Sequence, residues 1–201
     1  MFKTILINKS SLLIFSLSLI IGCGGASKSD INSTTVENRG KVIEINTNQQ
    51  ELLNAINNAR SVQRDCYPND PKRGLMKATT PLTWNHELYA SALEHSTDLA
   101  QSDTFSHLGS GTESDITGNG TPSKFQDRIT ANGYANYYTV GENIAGGQKT
   151  LDEVMEAWLN SPEHCVNIMK DSYSEVGIAV VLNEDSTYGI YWTQNFGSTH
   201  R

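Results

Sequence analysis

The sequence is poor in the residues that mark several common protein classes. Only 15 lysines and arginines stand against 22 aspartates and glutamates in 201 residues. This excess of acid argues against a nucleic-acid-binding protein, which normally presents a basic face. With 5 prolines and 16 glycines, the chain is neither collagen-like nor of low complexity. Hydrophobic residues make up 37% and charged residues 18%, a balance typical of one ordinary globular domain.

Familiar catalytic motifs are absent as well. The sequence contains no G-x-S-x-G motif, no phosphate-binding glycine loop and no dinucleotide-binding fingerprint. His86 and Glu87 begin like the zinc motif H-E-x-x-H, but Ala90 stands where the second histidine is required. His95 lies on an apolar helical stripe and is predicted to be a buried core histidine. No single local motif therefore indicates an enzyme class.

Long apolar runs are limited to the N-terminus. Residues 12–21 are interrupted only by two serines, and Lys3 and Lys9 precede them. The run is too short to cross a bilayer and is typical of a signal peptide. It ends at Gly22 and Cys23, which resembles the bacterial lipoprotein signal, in which the cysteine is acylated. We therefore predict a lipoprotein signal peptide at residues 1–22 and lipidation of Cys23; the alternative is a plain secretory signal and a spare thiol.

The predicted signal peptide carries two lysines and no acid, so the remainder has a formal charge of 13 − 22 = −9. Residues 23–46 are rich in Gly, Ser, Asn and Thr and predict a flexible tether, followed by a domain at 47–201. Several acyl chains on Cys23 would anchor the chain stably to a membrane. The expected location is the bacterial cell envelope, periplasmic or at the surface. The outer membrane is favoured because Gly24, not aspartate, follows Cys23.

Three cysteines are present, so lipidation of Cys23 would leave Cys66 and Cys165 as an even pair. Outside the cytoplasm such a pair favours a disulfide. The alternative is two buried free thiols.

Hydrophobic spacing predicts helices first and a hairpin last. Helical stripes run through residues 52–59 and 84–99, and helix-start signals stand at Pro122, Thr150 and Ser161. Two β-rich runs, 176–182 and 188–196, predict an antiparallel hairpin. A short apolar cluster at Val42, Ile43 and Ile45 is a candidate first strand. The pattern predicts the α+β class, with helices stacked on a small sheet.

Short motifs follow one another along the domain: Pro81-Leu-Thr-Trp84-Asn85, Ala92-x-x-His95, Phe105-Ser-His107, Asp127-Arg128-Ile129, Gly141-Glu142-Asn143-Ile144-Ala145, Ser161-Pro162-Glu-His164 and Tyr191-Trp192-Thr193-Gln194. In this order they resemble the CAP superfamily (cysteine-rich secretory proteins, antigen 5 and pathogenesis-related 1), in its bacterial SCP-like branch. The resemblance implies an α-β-α sandwich with a small, mostly antiparallel sheet. It also supports the pairing of Cys66 with Cys165.

The resemblance further implies a cleft built from histidines and glutamates. His107 and Glu142 match two family positions, and His164 matches the histidine of the bacterial branch. Ser161 and Tyr191 stand where other members carry a second glutamate and a second histidine. Neutral imidazoles and a carboxylate suit a divalent cation such as Zn²⁺. We therefore predict His107, Glu142 and His164 as metal ligands, and cleft-lining positions at Asn143, Ser161 and Tyr191.

The functional expectation is a monomeric, envelope-anchored binding module with a cation-capable cleft. Its expected partners are the membrane, through Cys23, and a lipid, sterol-like molecule, envelope polymer or protein; nucleic acid is not expected. The alternative is a metal-dependent hydrolase or peptidase, in which Glu142 would ligate the ion or act as general base on its water.

Overall fold

The computed structural model describes residues 43–44, 48–70 and 72–199. The predicted signal peptide, Cys23 and the tether, apart from 43–44, lie outside these residues, and so do the last two residues of the chain. Within the described ranges, no helix combines the length and hydropathy that a bilayer crossing requires.

Two longer helices come first, and a side-chain cap marks the start of each. Helix α1 covers Gln49–Arg60 and α2 covers His86–Ser102. The side chains of Asn48 and Asn85 cap them by accepting main-chain N–H groups that a helix start leaves free. The prediction that Trp84 lies on the α2 stripe is wrong, because Trp84 precedes the cap and belongs to a strand.

Three shorter helices follow, α3, α4 and α5, which cover Phe125–Ala131, Leu151–Leu159 and Pro162–Met169. Thr150 caps α4, as predicted, by accepting the amide of Glu153 at 3.2 Å. Ser161 is the N-cap residue of α5, but among the described residues its hydroxyl makes no capping hydrogen bond. The proline that follows suits the first turn, because its backbone angle is fixed and it has no N–H that would need a partner.

The described residues contain five strands, which form one sheet: β1 Ile43–Glu44, β2 Thr83–Trp84, β3 Thr139–Gly146, β4 Glu175–Leu182 and β5 Ile190–Ser198. Their order is β1-β4-β5-β3, and β2 pairs with the start of β4. All pairs are antiparallel except β2 with β4. The predicted hairpin is β4 and β5, and the predicted first strand is β1.

Helices cover both faces of this sheet. Alternate residues of β4, such as Ile178 and Val180, face a core shared with α1, α4 and α5. Val181 and Tyr191 face the other way and pack against α2. The close approach of α2 depends on Gly177, because a side chain there would collide with the main chain at Tyr89. The predicted α-β-α sandwich of the α+β class is confirmed.

Strand β3 forms an edge of the sheet, and side chains satisfy its outward carbonyls. Those of Val140, Glu142 and Ile144 accept hydrogen bonds at 3.3, 3.2 and 3.1 Å. The donors are, in the same order, the Tyr173 hydroxyl from the segment after α5, the Asn167 amide from α5 and the Trp158 indole from α4. An edge closed in this way is a poor template for pairing with another chain.

The predicted disulfide between Cys66 and Cys165 is confirmed, and the alternative of two free thiols is wrong. It ties the loop after α1 to the first half of α5, across 99 residues of sequence. Both cysteines are buried.

Replacing both Cys66 and Cys165 with alanine is expected to lower the free energy of unfolding by about 2–4 kcal/mol, because the unfolded chain gains the freedom that the cross-link removes. Urea denaturation of the oxidised wild type and the double variant measures this loss. The reduced wild type should unfold at nearly the same urea concentration as the variant. Equal stability of the oxidised and reduced proteins would contradict the prediction.

Candidate active site

The candidate site is centred on the carboxylate of Glu142, on the edge strand β3. This side chain is 1% exposed and lies against α2 and α3. His107 Nδ1 lies 2.9 Å from Glu142 Oε1, and Arg128 Nη2 lies 3.0 Å from Oε2. His95 Nε2 approaches Oε1 to 3.8 Å. Both carboxylate oxygens are therefore engaged by side chains from other elements.

His107 belongs to the long loop between α2 and α3, which two buried aspartates hold in place. Asp98 accepts hydrogen bonds from the main chain and hydroxyl of Ser110 and from the hydroxyl of Ser114. Asp115 accepts three main-chain N–H groups of the loop and the Ser123 hydroxyl. A loop with no helix or strand of its own is thus fixed by carboxylates that satisfy its free donors.

Arg128 connects this loop to the sheet. Its guanidinium is buried and donates to the carbonyl and hydroxyl of Ser123, to the carbonyl of His107 and to the carboxylate of Glu142. The planar fork of donors suits an arginine that must serve several acceptors at fixed angles. The position of His107 over β3 therefore depends on Arg128.

His107 is the accessible member of the group, with 51% of its side chain exposed. Because Nδ1 faces the carboxylate, Nε2 is the nitrogen left for a ligand, and no hydrogen bond to Nε2 is found within the described ranges. A carboxylate behind an imidazole fixes the tautomer and orientation of the ring. The site thus presents one oriented imidazole to the surface.

The pKa values of the buried members are shifted from their ordinary values. Burial alone would raise the pKa of Glu142, but the hydrogen bond from His107 and the charge of Arg128 outweigh it, so its pKa lies below the ordinary value. Burial lowers the pKa of His95, and Arg128 adds to this effect. His95 Nε2 lies 2.9 Å from the carbonyl of Ser106, which makes this nitrogen the donor, and Nδ1 is buried with no hydrogen-bond partner among the described residues. His95 is therefore neutral and Glu142 ionised near neutral pH.

His164, the third predicted metal ligand, is carried by α5, which packs on the face of the sheet opposite Glu142. Glu142 and Asn143 are neighbours on a strand, so their side chains point to opposite faces. Asn143 reaches α5, where it donates to the carbonyl of His164 at 3.2 Å. The imidazole of His164 interacts electrostatically with that of His107. Burial is the main cause that lowers the pKa of His164, and the charge of His107 lowers it further.

A three-ligand metal centre does not form in this arrangement. Across the described chain, no group of three His, Cys, Asp or Glu side chains is placed to hold a metal ion. The structure brings His107 and Glu142 together but leaves His164 outside the group. Glu142 could ligate an ion only by giving up its hydrogen bonds to His107 and Arg128. In this arrangement the three predicted ligands do not converge on one ion, and binding of a divalent cation stays a prediction.

Two of the three predicted cleft-lining residues are fully buried. Asn143 exchanges hydrogen bonds with Gln194 and Asn167 beneath β3. Tyr191 packs in the core, and its hydroxyl donates to Asp103 at 3.1 Å. Neither lines an open cleft, because inward-facing positions of these strands are covered by helices. Ser161 is partly exposed at the start of α5.

The sequence did not reveal that His95 and Arg128 belong to the site. His95 is buried, as predicted, but it also adjoins Glu142. Arg128 comes directly before the buried Ile129 on α3, and an arginine at such a position requires a buried partner. That partner lies 14 residues along the chain, so local spacing could not identify it.

Acidification is expected to destabilise the protein before its carboxylates titrate. In the unfolded chain His95 and His164 regain the ordinary pKa of about 6.5, whereas the folded pKa of each is lower. The unfolded state then binds more protons, so stability falls as pH drops below about 6.5, by at most about 1.4 kcal/mol per pH unit for each group. Urea midpoints between about pH 7 and pH 5 measure this slope.

His95→Gln should flatten that slope, whatever its own effect on stability, and His164→Gln should remove a second part. An exposed histidine, His86, provides the control, since His86→Gln should leave the slope unchanged. A slope equal in all four proteins would contradict the assignment.

Comparison with known proteins agrees with this architecture. The profile of the family described as "CAP: Cysteine-rich secretory protein family" matches residues 53–196. Two solved structures have similar folds. One is an extracellular protein containing an SCP domain from Bacillus anthracis, with 21% identity and a TM-score of 0.53, over 74% of this chain and 39% of that one. The other is an outer surface protein from Borrelia burgdorferi, with 20% identity and a TM-score of 0.51, over 77% of this chain and 96% of that one.

Two curated Bacillus subtilis proteins are also similar in sequence. The uncharacterized protein YkwD is 45% identical over 60 residues, and the uncharacterized membrane protein YlbC is 29% identical over 125 residues. These alignments cover 30% and 62% of this chain but only 21% and 30% of the two relatives. The family profile, in contrast, spans most of the domain and includes α2, the His107 loop, Glu142 and His164. The chain belongs to the cysteine-rich secretory protein (CAP) family.

Proposed function

We propose that the chain is an envelope-anchored binding module that works outside the cytoplasm and is held to a membrane through lipidated Cys23. Its ligand is a component of the cell envelope that has an apolar face, with a lipid or sterol-like molecule as the leading class. His107 belongs to the binding surface, and Glu142 holds the His107 ring in position.

One observation carries this proposal: the carboxylate of Glu142 is buried and both of its oxygens are engaged. In the hydrolase alternative Glu142 would act as general base, which needs a carboxylate that can reach a substrate proton or a water. Glu142 is 1% exposed and is held by His107 and Arg128, so its role is to fix the loop and orient the imidazole. A site whose carboxylate is occupied in holding a loop and a ring in place is better suited to binding than to hydrolysis.

Exposed apolar side chains flank His107 along the chain. Phe105, two residues earlier, is 44% exposed, and its ring lies 5.0 Å from the ring of Tyr188, which is 43% exposed. Leu108 follows His107 and is also exposed. Exposed aromatic rings beside one oriented polar group are a frequent arrangement for binding an amphipathic ligand.

The disulfide supports a location outside the cytoplasm. Bonds such as Cys66–Cys165 persist in oxidising compartments and are rare where thiols are kept reduced. Mass spectrometry of Cys23 in protein purified from membranes tests the anchor separately, since an unmodified thiol would remove it.

The alternative is a metal-dependent hydrolase in which His107 and His164 hold one ion and Glu142 either ligates it or acts as general base on its water. The engagement of Glu142 by His107 and Arg128 supports the binding module over this alternative. Hydrolysis of peptides or esters that depends on added Zn²⁺ and is lost in His107→Ala would favour the hydrolase over the binding module.

Binding can be measured with the mature chain carrying Cys23→Ser, so that acylation does not obscure it. The probes are vesicles of envelope lipids, the same vesicles containing a sterol-like lipid, and purified envelope polymer. We expect saturable binding to vesicles that His107→Ala and Phe105→Ala weaken. His86→Ala, which removes another exposed histidine, is the matched control. Binding to none of the probes, or equal binding by all variants, would refute the proposed surface.

A further inference from the structure

The chain contains two Asn-Gly pairs, and the fold treats them differently. Asn119 and Gly120 form the tip of a tight turn, in which both have positive φ, 46° and 89°. The turn is closed by a hydrogen bond of 3.1 Å from the amide of Thr121 to the carbonyl of Gly118. This is the conformation that favours Asn-Gly in two-residue turns. Asn132 and Gly133 follow α3.

In an Asn-Gly dipeptide the main-chain nitrogen of the glycine can readily attack the side chain of the asparagine. The amide nitrogen of the glycine attacks the asparagine side-chain carbonyl carbon, forming a new C–N bond, and ammonia leaves. Water then opens the resulting succinimide, and the products are aspartate and isoaspartate. No oxidant or cofactor is needed, and glycine leaves the approach open because it has no side chain.

At Asn132 the fold restrains both reacting groups. Its side-chain amide donates to Glu94 Oε2 at 2.6 Å and to the carbonyl of Arg128 at 2.9 Å. The nucleophile, the amide of Gly133, donates to the carbonyl of Thr130 at 3.1 Å. Attack at this pair first requires these hydrogen bonds to open.

At Asn119 neither group is restrained in this way. Asn119 and Gly120 are both exposed, and a Cβ built on Gly120 would meet no atom within 4 Å. In the part of the chain that the structure describes, the side chain of Asn119 and the amide of Gly120 make no hydrogen bond. The reaction therefore needs only motion of the turn itself.

We propose that Asn119–Gly120 is a site of spontaneous deamidation and isoaspartate formation in the folded protein. The change falls on the loop that presents His107. Isoaspartate adds one main-chain atom to a turn that the Gly118–Thr121 hydrogen bond closes. Either product also adds a negative charge close to Asp115, whose carboxylate holds the same loop by accepting the Gly118 amide. The modified chain thus acquires a less tightly held loop as it ages.

Incubation of the folded mature chain in mildly alkaline, isotope-labelled water tests the proposal, with peptide mapping that separates aspartate from isoaspartate. We expect labelled aspartate and isoaspartate at Asn119, and conversion at Asn132 slower by more than about tenfold, because opening must precede it. In concentrated urea the two pairs should convert at similar rates. Equal rates in the folded protein, or faster conversion at Asn132, would overturn the proposal.

Two variants connect the chemistry to the fold. Asn119→Ser should abolish conversion at this position and leave Asn132 unchanged. Glu94→Ala should accelerate conversion at Asn132 by removing one of its restraints. The main-chain amides of Gly111 and Gly118 donate to the carboxylate of Asp115. Their hydrogen exchange should become faster when the wild type is aged, and it should stay the same when Asn119→Ser is aged. Unchanged exchange in the isoaspartate form would contradict the loosening of the loop.

Discussion

Replacing Arg128 with methionine is expected to lower the free energy of unfolding by about 3–5 kcal/mol, the cost of leaving a buried charge without its partner. The charge left behind is that of Glu142, which loses its ion pair at 3.0 Å in a setting closed to water. The carbonyl of His107 and the hydroxyl of Ser123 lose their donors at the same time. The loop carrying His107 is then held mainly by Asp98 and Asp115.

A double-mutant cycle separates the charge from the packing. Glu142→Gln removes the charge but keeps the shape, and Arg128→Met with Glu142→Gln leaves no buried charge at this position. We expect the double variant to be clearly more stable than the sum of the two single losses, because the penalty of the unpaired carboxylate is absent. Urea denaturation at neutral pH gives the four values. Additive losses would show that Arg128 acts only through packing.

The same variants also test whether the position of the His107 loop matters for ligand binding. Ligand binding should weaken in Arg128→Met even at temperatures where the protein remains folded, since His107 loses the support of its main chain. Binding that is unaffected would separate the loop position from the binding surface.

The sequence predicted the elements of the fold well because their signals are local. The capping box at Thr150 lies within three residues of sequence, and the β4–β5 hairpin follows from two β-rich runs separated by a turn. The family motifs supplied what local signals could not, which is the order of the layers. Trp84 was misplaced because its spacing matches the helical stripe although a capping asparagine separates it from the helix.

The site was predicted less well because its geometry depends on tertiary contacts. The motifs correctly brought His107 and Glu142 together. The sequence could not show that Glu142 and Asn143 lie on the edge strand β3 and therefore divide their partners between two faces. It also could not show that Arg128 takes one oxygen of the carboxylate, since that contact needs α3 to pack beside β3. His164 is carried by α5, whose contact with β3 runs through Asn143, so its position relative to Glu142 also depends on tertiary packing.

Replacing Arg60 with methionine is expected to lower the free energy of unfolding by about 3 kcal/mol or more, since each buried carbonyl left without a donor costs about 1–3 kcal/mol. The guanidinium is buried at the end of α1 and donates to the carbonyls of Thr80, Ile168, Lys170 and Tyr173. It thereby joins three segments: the loop before β2, the end of α5 and the approach to β4. Burial lowers its pKa to about 10, and Asp171 opposes this only in part.

The two buried arginines should differ in whether their loss can be repaired. Arg128 has a carboxylate partner, so a second substitution removes the unpaired charge. Arg60 has main-chain acceptors, which no substitution can remove, and we expect no single second change to restore stability. Arg60→Lys is the informative control, because it keeps the charge but cannot reach all three segments with one compact ammonium group. It should recover only a minor part of the loss in urea denaturation. Full recovery by lysine would mean that the positive charge matters at Arg60 and the fork of donors does not.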